Sequence, residues 1–252
     1  MPKLLRGQDR LLLSLSLIGD LLDLTVGAGH RAYHYRRLGL YFPPGYKAFN
    51  LNNTVRRSLK TGNIEKTINK QKRVCIKLTS QGNSQLERSF PLYKLQNKKW
   101  DGHWRLVTFD IQESHKRIRD LLRRKLQSLN FAKFQKSIYI SPHNFAEDLL
   151  EFLKFHHFHQ QAFILEVNHK YLPHPKEFSA SLWPINQLQD KYQLLLDKLN
   201  QKSITQIDIN KISDQYLGLL CQDPHLPKEL LPHNWPEPHI RKSLSQLIIN
   251  QK

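Results

Sequence analysis

Residues 100–175 alternate between strand-like and helix-like patterns, and this alternation constrains the fold more than any other feature of the chain. Residues 104–110 and 162–167 read as strands, and residues 131–140 give one strand or two. Residues 113–129 and 145–155 repeat their apolar side chains at helical spacing. The order strand, helix, strand, helix, strand predicts a ferredoxin-like, split βαβ domain over residues 99–175.

Residues 1–96 contain the elements of a second type of domain. Leucines at helical spacing predict a buried helix over residues 3–24, and residues 27–50 predict a short helix with loops. Residues 50–54 read as the start of a further helix, because Asn and Thr side chains cap free N–H groups, and Gly62 reads as its end. Residues 64–68 and 73–79 alternate apolar and polar side chains around a polar tip, which predicts a β-hairpin.

A helix with a basic polar face, followed by a hairpin with a cationic tip, is typical of a winged helix-turn-helix. Its helix enters the major groove of DNA and its wing touches the backbone. The alternative is a basic α/β surface without groove contact. Residues 180–252 are mainly helical and are interrupted by prolines between 224 and 238. The predicted fold class is therefore α+β, with a winged helix-turn-helix at 1–96, the ferredoxin-like domain at 99–175 and a helical domain at 180–252.

The positive charge of the chain lies mostly in its first segment. Residues 1–98 hold 18 Lys or Arg and 5 Asp or Glu, a net charge of +13. Residues 99–175 hold 12 and 8, and residues 176–252 hold 9 and 8. This asymmetry favours nucleic acid over a generically basic surface, and it places the contact in the first segment.

The predicted DNA-binding side chains lie on the second helix and the hairpin tip. Val55 and Leu59 are expected to face inward, with an inward Thr54 as an open alternative, whereas Arg56, Arg57 and Lys60 are expected to face outward. Arg can bond guanine bidentately and Asn can bond adenine, while Lys and Arg at the tip contact phosphate without reading sequence. The complete set is Asn52, Asn53, Thr54, Arg56, Arg57, Lys60, Lys70, Lys72 and Arg73.

Several classes of protein are not indicated. The chain has no run of eighteen apolar residues, so no membrane span is predicted, and Asp20 and Asp23 interrupt the apolar stretch that a signal peptide would need. Cys75 and Cys221 lie far apart, which indicates a reducing, cytoplasmic setting and no disulfide framework. No nucleophile-elbow, P-loop, dinucleotide-binding or zinc-protease string occurs.

Four segments of the chain together resemble the PaaX-like transcriptional repressors of phenylacetate catabolism. They are WDGHWRLVTFDI at 100–111, SIYISP at 137–142, Leu182-Trp183 with Leu188 and Tyr192 after it, and DPHLPKELLPHNWP at 223–236. The resemblance implies a homodimeric repressor that binds double-stranded DNA at inverted-repeat operators and releases it when an acyl-CoA effector binds. It also implies a middle domain similar to CRISPR-associated protein 2.

Asp110 has two interpretations. As a structural residue at the end of a strand it would cap the next helix, accepting N–H bonds from residues 112–113. The resemblance to CRISPR-associated protein 2 instead implies a ligand for Mg²⁺ at a dimer interface, and with it a metal-dependent nuclease. The cap is the favoured interpretation, and no other cofactor or enzyme activity is predicted.

The helix predicted at 113–129 has a basic side, formed by Arg117, Arg119, Arg123, Arg124 and Lys125. A solvated face is the favoured interpretation. An extension of the DNA footprint and the rim of a dimer remain open alternatives.

Overall fold

A computed structural model describes residues 6–18, 21–22, 48–68, 72, 74–90, 98–112, 115–158, 160–201 and 203–250. The chain forms two compact units. Unit 1 consists of Met1–Phe90, Leu188–Asp223 and Trp235–Lys252, and unit 2 consists of Pro91–Gln187 and Pro224–Asn234. Over these described ranges, no helix is both long and apolar enough to cross a membrane.

Unit 1 begins with helix α1 (Gly7–Ile18) and the two-residue strand β1 (Leu21–Leu22). Helix α2 (Ala48–Lys60), strands β2 (Ile64–Ile68) and β3 (Val74–Leu78), and helix α3 (Ser80–Ser89) follow. Helix α1 packs against α2, α3 and β3 through its leucines, of which Leu11, Leu12, Leu13 and Leu15 are buried. The predicted buried helix is therefore present.

The end of this first helix was predicted too late. Leu21 and Leu22 pair with Ile76 and Cys75 of β3 in an antiparallel ladder, so they extend a sheet of order β1-β3-β2. A short apolar run fits a helix and a buried strand equally well, and here the free edge of β3 decides between them. The structure does not describe residues 23–47, so most of the helix and loops predicted over 27–50 lies outside the described residues.

Helix α2 begins at Ala48, so the prediction that residues 50–54 cap its start is wrong. Asn and Thr are tolerated inside a helix when their side chains reach solvent or a neighbouring element. The predicted hairpin is present: β2 and β3 pair in register from Ile64↔Leu78 to Ile68↔Val74. Val55 is buried as expected, and Leu59 is half-buried.

Unit 2 contains the predicted split βαβ arrangement. Its elements are β4 (His103–Phe109), α4 (Lys116–Ser128), β5 (Ala132–Gln135), β6 (Ile138–Ser141), α5 (Ala146–Phe155) and β7 (Ala162–Asn168). The sheet order is β5-β6-β4-β7, with antiparallel neighbours throughout. This is the ferredoxin-like order, and the segment 131–140 resolves into two strands joined by a tight turn.

The core of unit 2 lies between the sheet and the helices α4 and α5. Val107 and Phe109 of β4 pack there with Leu122 and Leu126 of α4, all of them buried. On the other face of the sheet, Trp104 is fully buried and lies edge-on to Phe178 at 5.2 Å between ring centroids. Phe178 belongs to helix α6 (Pro175–Leu182), which therefore covers one end of that face.

The helices α7 (Ile185–Leu199), α8 (Gln206–Leu220) and α9 (Glu237–Asn250) complete the fold. Most of α7 belongs to unit 1, where the hydroxyl of Tyr192 donates to Asp223 at 2.8 Å. The hydroxyl of Tyr216 donates to Glu237 at 2.6 Å, and Arg241 donates to the same carboxylate. These buried polar groups are paired, as burial requires.

Helices α8 and α9 pack on α1, the helix that opens unit 1. Arg10 of α1 forms an ion pair with Asp214 of α8. The compact units therefore combine the first and last segments of the chain, which the sequence placed in separate domains. The division into domains at 1–96, 99–175 and 180–252 stays a prediction.

The proline-rich segment at 224–234 belongs to unit 2. Leu226 and Leu230 are buried, and Asn130 donates from its side-chain amide to the carbonyl of Pro224 at 2.8 Å. The hydroxyl of Ser179 on α6 donates to the carbonyl of Leu230 at 2.7 Å. These buried leucines and the two hydrogen bonds hold the segment against the rest of unit 2, which gives the motif a structural role.

His143 is a buried histidine beside this segment. It follows β6, is 5% exposed, and its Nε2 atom has no hydrogen-bond partner among the described residues. Burial lowers its pKa to about 4, while the backbone of His225 acts in the opposite direction and the charges of His225 and Arg105 lower it further. His143 is therefore neutral in the folded protein at neutral pH.

This burial predicts a specific loss of stability in acid. The unfolded chain binds a proton at His143 near its ordinary pKa of 6.5, whereas the folded protein rejects that proton down to about pH 4. The contribution of His143 to the free energy of unfolding is therefore full above pH 6.5. We expect it to fall by about 3 kcal/mol as the pH drops from 6.5 to 4.

Urea unfolding of the wild type and of His143→Gln between pH 7 and pH 4.5 measures this contribution. The glutamine cannot titrate, so the variant is expected to lose stability less steeply with falling pH. Parallel pH profiles for the two proteins would contradict the prediction.

Candidate nucleic-acid interface

Helix α2 presents one exposed polar row to solvent. Asn53, Arg56, Arg57 and Lys60 are all exposed. Their spacing of three and four residues places them on one side of the helix, opposite buried Val55 and Ser58. Within the described part of the chain, no acidic side chain pairs with Arg56, Arg57 or Lys60. Their charge is therefore available to an external anion.

The end of α2 is held by a tight turn. The N–H of Gly62 donates to the carbonyl of Leu59 at 3.1 Å, and the N–H of Asn63 donates to that of Ser58 at 2.9 Å. Gly62 has a φ of +68°, the left-handed conformation that favours glycine at a helix end. Gly62 therefore ends the helix, as the sequence predicted.

Thr79 connects this turn to the next helix, α3. Its hydroxyl donates to the carbonyl of Gly62 at 2.6 Å and accepts from the N–H of Gly82 at 3.0 Å. Its own N–H donates to the carbonyl of Asn63 at 3.2 Å. One threonine thus caps α3 and fixes the turn that ends α2.

Gly82 permits this close approach. A Cβ atom at position 82 would lie 2.0 Å from the carbonyl oxygen of Asn63 and 2.6 Å from Cδ1 of Leu78. Real Cβ atoms do not approach a backbone oxygen so closely, so any side chain here would displace α3 from the turn. The direction of α2 relative to the hairpin therefore depends on a glycine remote from the exposed row.

The hairpin contributes less to the described surface. Lys72 is exposed at its tip, with a φ of +58°. Lys70 and Arg73 lie outside the described residues, so their phosphate contacts stay a prediction. Toward the end of the hairpin away from the tip, Glu65 and Lys77 are directly opposite across the two strands and both are exposed. Opposite charges at such positions stabilise a strand pair.

Thr54, one of the predicted DNA-binding residues, does not contribute to the exposed row. Thr54 is half-buried, and its Oγ1 lies 3.1 Å from where a Cβ of Gly7 on α1 would be. It therefore faces the body of unit 1. Asn52 is part of α2, but its side chain lies outside the described set. The structure thus brings together four of the nine predicted side chains on one helix face.

Asp110 does not cap a helix. It directly follows β4 and is exposed, while the next helix begins at Lys116 with His115 at its N-cap position. The prediction of a cap is wrong, because the chain runs on past Asp110 for several residues before the helix starts. The backbone N–H of Asp110 donates instead to the carbonyl of Gln161 at 2.9 Å.

A metal site at Asp110 is not completed within one chain. Over the described ranges, no three His, Cys, Asp or Glu side chains lie close enough together to hold a metal ion. A single exposed carboxylate offers too few oxygen ligands for Mg²⁺, so the residues present do not fit the ion. Asp110 as a metal ligand therefore stays a prediction that needs a second copy of the chain.

The middle of the chain matches a known family of protein domains. Residues 97–179 match the family model of the PaaX protein central Cas2-like domain. The middle of this chain is similar to the PaaX central domain. The resemblance to PaaX-like proteins that the sequence showed is therefore confirmed. The matched segment runs from before β4 into α6, which includes the whole ferredoxin-like sheet.

A solved structure has a similar fold over nearly the whole chain. It is the uncharacterized protein Rv0674 from Mycobacterium tuberculosis, with a TM-score of 0.58 and 17% sequence identity. The likeness covers 97% of this chain and 96% of the other chain, and at this identity it shows the fold alone. No curated protein sequence matches the chain.

The sequence did not predict the residues that hold α2 in place. Thr79, Gly82, Asn63 and Ser58 were not singled out, and helix α3 itself was missed. Thr79 followed by a polar run to Leu86 was the available signal, because Thr is a favoured N-cap residue. The contact that requires a glycine at position 82 has no local signal, since it joins two segments nearly twenty residues apart.

Proposed function

We propose that this chain is a DNA-binding transcriptional regulator of the PaaX type. Helix α2 is the recognition helix of a winged helix-turn-helix, and the hairpin β2–β3 is its wing. The exposed row of Asn53, Arg56, Arg57 and Lys60 on α2 is the observation that supports this function most directly. A helix with a cationic row and a fixed direction is what major-groove binding requires.

Charge supports the same assignment. Residues 1–98 carry a net charge of +13, far more than the rest of the chain. Counterion release on phosphate neutralisation then supplies most of the affinity for any duplex, and side chains of the exposed row supply the discrimination. Arg56 and Arg57 are the two whose planar guanidinium groups can read guanine edges.

We further propose a repressor that acts as a homodimer in the cytoplasm. Two copies related by a twofold axis would read the two halves of an inverted repeat. The edge strand β7 supports a dimer contact through unit 2, because Phe163 and Leu165 on it are 56% and 49% exposed. An acyl-CoA is the effector that the resemblance to PaaX-like repressors implies.

A gel-shift titration at fixed salt tests the function. The labelled duplexes are the promoter region of the protein's own gene and a random sequence of the same length. We expect the promoter to bind at least about a thousandfold more tightly. Added acyl-CoA thioesters are expected to weaken binding to the promoter. Equal affinity for the two duplexes would contradict the proposal.

The alternative function is a metal-dependent nuclease, and the exposed position of Asp110 at the end of β4 is the observation that favours it. If the protein is a regulator, Asp110→Asn should keep operator affinity within about twofold. A substitution at an exposed position usually changes the free energy of unfolding by no more than about 0.5 kcal/mol, so the DNA-binding unit should stay folded. Labelled DNA and RNA incubated with Mg²⁺ or Mn²⁺ should stay intact. Cleavage by the wild type that disappears in Asp110→Asn would establish the nuclease instead.

A further inference from the structure

Helix α4 of unit 2 concentrates positive charge. It carries six Lys or Arg and a single acidic residue, Asp120, a net charge of +5. Residues 99–175 as a whole carry twelve basic and eight acidic side chains, a net charge of +4. The remainder of that segment is therefore slightly acidic, and the positive charge of unit 2 is largely a property of one helix.

Four of these cations form a regular pattern on the outer side of α4. Lys116 and Arg123 are seven residues apart, and so are Arg117 and Arg124. Seven residues are nearly two helical turns, so each pair forms a row along the axis with its members about 10.5 Å apart. That distance is close to three base-pair steps, each of which rises about 3.4 Å along the axis of B-form DNA.

The fold of unit 2 does not use these charges. Leu122 and Leu126 are fully buried and hold α4 against the sheet, whereas Lys116, Arg117 and Arg124 are exposed. Arg123 lies 3.6 Å from Asp120, and none of the other three has an acidic partner in the described part of the chain. The first turn contains no acidic residue, so its cations oppose the helix dipole.

We propose that the outer face of α4, formed by Lys116, Arg117, Arg123 and Arg124, binds the phosphate backbone of duplex DNA. This contact is a second one, in addition to that of α2, and it rests on the proposed function for the identity of the polyanion. Arginine forks match phosphate oxygens bidentately, and two parallel rows of cations match a regular line of phosphates. Such contacts position the duplex and carry no sequence information.

The test compares Arg117→Ala/Arg124→Ala with a matched control, Lys191→Ala/Lys198→Ala. The control residues are also exposed, also seven residues apart on a helix (α7), and also remove two positive charges. Binding to promoter and random duplexes is measured by fluorescence anisotropy over a range of salt concentrations. Both variants place alanine at exposed helical positions, and circular dichroism checks that they stay folded.

We expect the α4 variant to bind both duplexes about tenfold more weakly, with a salt slope smaller in magnitude by about 1.8, because two phosphate contacts are lost. The ratio of promoter to random affinity should not change. The control and the charge-retaining Arg117→Lys/Arg124→Lys should match the wild-type slope. If the α4 variant also keeps the wild-type salt slope, the proposal is wrong. The face would then bind an acidic protein or be solvated.

The two proposals fail in different ways. If wild-type protein does not prefer its promoter, the proposed function fails, yet the salt slope on random duplex still measures the α4 contact. If the promoter is preferred and the α4 variant keeps the full slope, only the second contact fails.

Discussion

Replacing Arg56 and Arg57 together with alanine is expected to abolish promoter binding in the working range of concentration. Each arginine that reads or neutralises the duplex is worth about 1–3 kcal/mol, so their joint loss weakens binding by about a hundredfold or more. Both side chains are exposed on α2. Arginine and alanine are both strong helix formers, so the helix itself is expected to survive the change.

The arginine-to-lysine pair, Arg56→Lys/Arg57→Lys, separates two roles. Lysine keeps the charge but lacks the planar fork that bonds guanine bidentately. If these residues read bases, the lysine variant should keep its affinity for random duplex and lose its preference for the promoter. Gel-shift titrations of both variants at one salt concentration measure this. If the alanine variant bound the promoter with wild-type affinity, α2 would not be part of the DNA interface.

Gly82→Ala is expected to produce the largest loss of stability. The new Cβ atom would lie 2.0 Å from the carbonyl oxygen of Asn63, and backbone cannot move away as a flexible side chain could. Overpacking of this kind costs about 3 kcal/mol, partly offset by the reduced freedom of the unfolded chain. The melting transition of unit 1 should therefore fall by about 6–12 °C.

Gly218→Ala is the matched control for this substitution. Gly218 lies in the last turn of helix α8, is exposed, and has no atom within 4 Å of its added Cβ. Alanine is a better helix former than glycine by at most about 1 kcal/mol, so this variant should melt at the same temperature or higher. Differential scanning calorimetry measures the melting temperatures of both variants and of the wild type. Equal melting temperatures would show that α3 can shift without cost.

Unit 2 could be predicted largely from the sequence because its elements are long, periodic and joined by short connections. Strands of alternating pattern and helices with a leucine face leave few arrangements, and the split βαβ order is the simplest of them. Buried Val107 and Leu122 lie where the pattern expected them. The match of residues 97–179 to the PaaX central domain agrees with this arrangement.

Unit 1 was harder to predict because contacts distant in sequence decide its details. Leu21 and Leu22 become a strand only because β3 offers an unpaired edge. In unit 2, by contrast, the error concerned Asp110, which looked like a cap because a strand precedes it and a helix follows. The distance to Lys116 was not visible in the pattern. The exposed side of α2 was predicted correctly. Its three basic side chains and its buried valine together indicate which side of the helix faces solvent.

The path of the chain through the two units has a consequence for how the protein is made. Helix α1 packs on α8 and α9, which lie about 200 residues or more further along the chain. Ribosomes add about 5–20 residues per second, so the leucines of α1 wait on the order of ten seconds to a minute for their final partners. Unit 2 in turn gains its proline-rich segment only after α8 has been synthesised. Unit 1 therefore cannot complete its core until α8 and α9 have been synthesised, and unit 2 cannot complete its own until residues 224–234 have followed.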